Sequence, residues 1–128
     1  AWDPRNQRLL LANEKNPVRL FSLACDGRRV SGPLQALGDL DGYVTDVAGL
    51  SVDSRSGQLL ALSQESHLLL GLDPQLRAQS FLALLPGLNG LTQRVPQAEG
   101  LALDNAGNLY VVSERNLFFA FQREVSAP

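Results

Sequence analysis

Three segments of this chain are versions of one another, and their spacing limits the folds open to it. Asp3, Asp53 and Asp104 stand about fifty residues apart. Each opens a polar turn: Pro4-Arg5-Asn6-Gln7, then Ser54-Arg55-Ser56-Gly57, then Asn105-Ala106-Gly107. Each turn runs into a short apolar stretch, Leu9 to Ala12, Leu59 to Leu62 and Leu109 to Val112, and each stretch stops at Asn13, Ser63 or Ser113. Runs this short, rich in Leu, Val and Tyr and preceded by turn residues, read as the second arms of β-hairpins. One supersecondary unit is therefore built three times.

A third strand follows in every unit, over Val18 to Leu23, Leu68 to Leu72 and Leu117 to Phe121. A fourth is expected after the first two, near Arg29 to Leu37 and Ala78 to Leu84. Four short antiparallel strands recurring at this period describe a propeller blade. The fold expected is all-β: a β-propeller fragment of about three blades of four-stranded antiparallel sheet, the last blade lacking its outer strand. The repeat units fall at about 1–43, 44–95 and 96–128, within a single half-propeller domain. Helical turns fit only Leu37 to Asp46 and Pro74 to Ser80, neither with a sustained apolar stripe. Leu85 to Pro96, rich in Gly and Pro, reads as a crossover between blades.

Half a propeller leaves an apolar blade face open at each end. The expected partner is the missing N-terminal half of the propeller or a second copy of the chain. The chain has no Met and begins inside a strand, so it is expected to be a mature, trimmed or excised piece.

Composition narrows the chemistry. A net charge of −2 with scattered arginines gives no electrostatic case for nucleic acid. Arg28-Arg29, the densest basic cluster, reads as a solvated strand edge. Cys25 is the only cysteine and His67 the only histidine, which excludes an internal disulfide framework and a paired-histidine zinc site. No apolar run is long enough to span a bilayer.

Four stretches carry a family resemblance. They are Val47 to Asp53, Leu62 to Ser66, Pro96 to Ala102 and Leu109 to Phe118. Together they resemble the SdiA-regulated family of bacterial proteins, over essentially the whole chain, which matches the C-terminal half of that domain. The resemblance implies a six-bladed β-propeller in the periplasm or cell envelope, on the outer side of the cytoplasmic membrane, held there only through an N-terminal anchor absent here. It implies no defined activity. Arg115 departs from the family pattern, which has Pro after the Ser-Glu pair.

The candidate site lies in the last unit. Antiparallel pairing across the Asn/Gly turn is expected to bring Glu99 close to Glu114, two carboxylates at the open end of one hairpin. Glu14 occupies the place of Glu114 in the first unit, and Asp46 precedes the equivalent hairpin in the second. An acidic rim of Glu99, Glu114, Asp46 and Glu14 is the expected seat of a divalent cation such as Ca2+, which takes oxygen ligands. The plainer expectation is that Glu99 and Glu114 pair with Arg94 and Arg115. The function expected is a binding or scaffold module. The alternative is a metal-assisted hydrolase, esterase- or phosphatase-like, using the same carboxylates; whether the chain is an enzyme is left open, and no catalytic residue is singled out.

The remaining polar residues carry plainer expectations. Ser63, Ser113 and Asn13 are expected to bond the neighbouring blade, and His67 to lie on the surface away from the axis. Asp3, Asp53 and Asp104 are expected to cap their own turns rather than bind calcium. Trp2 and Tyr110 are expected in the core, and Cys25 to be inert.

Overall fold

A computed structural model describes residues 1–124. Eleven strands form three antiparallel sheets, each a meander in chain order. The first sheet holds β1 (Trp2–Asp3), β2 (Arg8–Ala12), β3 (Arg19–Cys25) and β4 (Val30–Asp39). The second holds β5 (Gly49–Val52), β6 (Leu59–Ser63), β7 (Leu68–Leu72) and β8 (Ala78–Ala83). The third holds β9 (Ala98–Leu103), β10 (Leu109–Ser113) and β11 (Leu117–Phe121), three strands among the described residues. This is the all-β propeller fragment that the repeat implies.

The first strand of each sheet is innermost, since β5 touches both β1 and β9. Gly49 permits the close approach of β5 to β9, because a Cβ there would stand 2.7 Å from the Leu101 side chain.

The two stretches open to helix are not helical. Residues 37–39 extend β4, and Leu40 to Val44 form turns. At Asp73 the carboxylate accepts the amides of Gln75 and Arg77, both at 2.9 Å. Those amides are spent on a side chain, so no helical ladder starts and β8 follows at once.

The middle blade explains the core. Alternate residues of a strand face opposite sides of its sheet. Leu59 and Ala61 of β6, with Leu70 and Leu72 of β7, pack towards the first blade with Leu10, Val18 and Leu20. Leu60, Leu62 and Leu69 pack towards the third with Ala98, Leu109 and Val111. A sheet covered on both faces needs apolar residues at every position, which is why Leu59 to Leu62 is an unbroken apolar run.

The outer blades have one covered face each. By repeat position Leu11 matches Ala61, and Phe118 matches Leu69. Yet Leu11 is 42% and Phe118 65% exposed, because among the described residues no further blade covers them. Trp2, expected in the core, shares that open face and is exposed. Tyr110 is half-buried and stacks on Phe118 at 5.7 Å, on the open face of the third blade.

Antiparallel meanders give every blade two distinct ends. The hairpin turns opened by Asp3, Asp53 and Asp104 lie at one, here called the turn end. The other, where the innermost strands begin, is the entry end. It gathers the crossovers into β5 and β9 and the β2–β3, β6–β7 and β10–β11 turns.

Candidate functional site

All four expected site residues lie at the entry end, but they do not share one role. Asp46 sits in the crossover into β5 between buried Val44 and Val47, and is itself only 3% exposed. Its carboxylate accepts the Ser63 hydroxyl and the amides of Gln64 at 3.2 Å and Glu65 at 3.0 Å. Ser63 Oγ in turn accepts the Ser66 amide at 3.0 Å. A buried carboxylate with three donors is satisfied, and it fastens the crossover to the β6–β7 turn. Ser63 was expected to bond the neighbouring blade; it bonds within its own. Ser113 likewise stays local, donating to the Glu114 carbonyl at 3.3 Å.

The strand register separates Glu99 from Glu114. Gly100 faces Val112 and Ala98 faces Ser113, with a bulge between the two pairs. Glu99 is the extra residue of that bulge and has no cross-strand partner, so the expected pairing of the two carboxylates across the hairpin is not the one formed. Ala98 turns into the core, and Glu99 turns out. It lines a cavity of about 230 Å³ together with Ala12, Glu14, Asp46, Val47, Ala48 and Gln64. Glu14, Asp46 and Glu99 thus come together from the β2–β3 turn, the crossover and β9. Among the described residues the side chains of Glu14 and Glu99 meet no hydrogen-bond or ion-pair partner, in contrast to Asp46.

A complete protein cage for a metal is not formed. No three His, Cys, Asp or Glu side chains among the described residues converge as a metal cluster would. Calcium takes six to eight oxygens, and Asp46 already spends its own on three donors. Two free carboxylates, Glu14 and Glu99, are what the cavity offers a cation.

Glu114 lines a second, larger cavity of about 540 Å³, with Gln64, His67, Arg94, Pro96, Gln97, Arg115 and Leu117. The two cavities share Gln64. Arg94 and Arg115 were expected to pair with the glutamates; among the described residues neither does. His67 is half-buried in this cavity instead of lying on the outer surface.

A model of the SdiA-regulated family matches residues 1–122. The chain belongs to the SdiA-regulated family. In this SdiA-regulated chain Arg115 has φ +65°, which a proline ring cannot adopt. The Pro that the resemblance places there would not fit this turn.

The turn end of the SdiA-regulated chain is built differently. Asp3 accepts from the Asn6 amide and side chain and from Arg8 Nε. Asp53 accepts from the Arg55 amide and guanidinium. Asp104 accepts the amide and side chain of Asn108 and the Tyr110 hydroxyl, each at 2.9 Å. The three aspartates cap their turns, as expected. Burial pushes the Asp3 carboxyl up, but the donors of Asn6 and Arg8 together outweigh it and leave its pKa below the ordinary value; the Arg55 side chain lowers Asp53, and Asp104 lies at about 2, with the Asn108 side chain the leading cause.

Arginines then tie the turns together. Arg5 reaches the carbonyls of Ser54 and Arg55 in the next blade, and Arg55 reaches the Ala106 carbonyl at 2.9 Å in the one after. In the third turn Ala106 holds the arginine's place, and the series stops.

Proposed function

We propose that this chain is an extracytoplasmic binding module that takes a divalent cation at the entry end of its blades. The observation that carries the reading is the meeting of Glu14 and Glu99 in one cavity. They come from different blades, neither has a protein partner among the described residues, and Asp46 adds a third negative charge beneath them. The field of three carboxylates, partly offset by the neighbouring Lys15 ammonium that already pairs with Glu65, favours a cation. With only two of them free, water and main-chain carbonyls complete its shell. The extracytoplasmic placement rests on the family resemblance.

The test is calorimetric titration with Ca2+ of the wild-type chain and of the Glu14→Gln/Glu99→Gln double variant. Saturable binding lost in the double variant is the expected result. Equal heats for both proteins, or no binding to either, overturn the reading.

The scaffold side of the proposal concerns the two open blade faces. Within the chain each blade packs one face on the face of the next, and the exposed Leu11 and Phe118 occupy repeat positions that are buried in the middle blade. Their fitting partner is another blade, from an N-terminal half of the propeller or from a second copy. The isolated chain is expected to self-associate in analytical ultracentrifugation at micromolar concentration. A well-folded monomer counts against it.

A further inference from the structure

The larger entry-end cavity is lined differently from the one proposed above to take a cation, with two arginines facing a single glutamate. We propose that it binds a small molecule carrying a carboxylate and an ammonium group close together, of which a free α-amino acid is the simplest. Arg94 and Arg115 receive the carboxylate, and Glu114 receives the ammonium. Pro96 and Leu117 supply apolar wall for the ligand's side chain, and Gln64, Gln97 and His67 supply hydrogen-bonding groups.

Three observations carry this. The volume, about 540 Å³, is that of a small-molecule site. The charges are also uncommitted. Arg5, Arg8, Arg19, Arg55 and Arg77 donate side-chain hydrogen bonds, whereas Arg94 and Arg115, like Arg28, Arg29 and Arg123 elsewhere, donate none among the described residues; only Arg94 and Arg115 share a cavity with a carboxylate that is equally unpaired. The repeat explains why. Lys15, Glu65 and Arg115 occupy the same position in successive units. Lys15 pairs with Glu65 at 2.8 Å and clips the first two blades together. Glu65 is thereby spent, and Arg115 has no equivalent partner at the next interface. Both signs of charge remain in one cavity without pairing to each other. A ligand with both signs satisfies both, whereas a polyanion meets the repulsion of Glu114.

The third observation is the backbone. His67, Gln97 and Arg115 all line this cavity with φ of +53°, +41° and +65°. Left-handed conformations are costly for such residues and gather at ligand sites. They come from the β6–β7 turn, the crossover into β9 and the β10–β11 turn; the β2–β3 turn carries such a residue too, at Asn16, so Gln97 is the one that sets this cavity apart, with no counterpart in the crossover into β5.

The experiment is an amide NMR titration of the full chain with L-alanine. Acetate, methylammonium and inorganic phosphate serve as single-charge and polyanion probes. Saturable shifts at Gln64, His67 and Gln97 are expected with L-alanine, and binding weaker by about tenfold with acetate or methylammonium, since each forfeits a charge-assisted interaction. Arg115→Gln and Glu114→Gln, at exposed positions that leave the spectrum folded, are each expected to weaken alanine binding about tenfold. Glu99→Gln leaves it unchanged, which separates this site from the cation site. No saturable shift with L-alanine, tighter binding of phosphate, or binding that survives Arg94→Gln/Arg115→Gln overturns the proposal.

Discussion

The two ends of the blades use the same residue types for opposite purposes. At the turn end Asp3, Asp53 and Asp104 each accept several hydrogen bonds from their own turn, and Arg5 and Arg55 lock one turn to the next. At the entry end Glu14, Glu99, Glu114, Arg94 and Arg115 have no such partners among the described residues. The turn end follows the repeat and the entry end departs from it. Ala48 holds the place of Glu99 in the middle unit, and Gln64 that of Glu114. The aspartates that recur in all three units serve the blade, and the glutamates whose places the middle unit fills with Ala48 and Gln64 are free to serve a ligand.

Asp46 tests that division most severely, since it lies at the ligand end yet is bonded like a turn residue. Asp46→Ala strands the Ser63 hydroxyl and two amides in a buried place, with an expected loss of about 2–4 kcal/mol in urea unfolding. A loss below about 0.5 kcal/mol, the level of an ordinary surface change, would return Asp46 to the ligand group. Gly107→Ala attacks the turn end. Its φ of +87° is strained for alanine, and the new Cβ meets the Arg55 guanidinium. A cost of about 1–3 kcal/mol is expected, with Arg55→Ala reducing the penalty because the collision is gone.

Acid should loosen the turn end by titrating its carboxylates. The Asp104 pKa of about 2 lies below its ordinary 3.8, so its stabilisation is complete above the higher value and is lost as pH falls towards the lower. Asp3 and Asp53 shift in the same direction. Urea midpoints recorded through that range are expected to fall with pH, and Asp104→Asn to flatten the curve. Glu14→Gln and Glu99→Gln mark the small end of the scale. Each should change stability by no more than about 0.5 kcal/mol. A clear loss in thermal melts would show that these carboxylates support the fold after all.

The period of the aspartates and the alternation of the strands were enough to read the blades, because blade packing is a local rule applied three times. The turn caps were legible for the same reason: an Asx turn needs only its own few residues. The site was legible only in part. Glu14, Asp46 and Glu99 do meet, but a single bulged residue sends Glu99 and Glu114 to different cavities, and nothing in Ala98-Glu99-Gly100 announces the bulge. The sequence reads His67 as a surface residue and Arg94 as an ion-pair partner of the glutamates, and misses that both line one cavity, because their places are set by neighbouring turns far away in sequence. The pairing of Lys15 with Glu65 across fifty residues was equally hidden, although the repeat aligns both with Arg115.

The covered middle blade also bears on how the molecule comes apart. In a linear array of repeats, each unit draws stability from its own pairing and from contact with its nearest neighbours. Among the described residues only the second sheet has a neighbour on each side, so β6 and β7 lose their shelter last. Opening should spread inwards from β1–β4 and from β9–β11, leaving the amides of Leu60 to Leu62 and Leu69 to Leu72 as the slowest to exchange with deuterium.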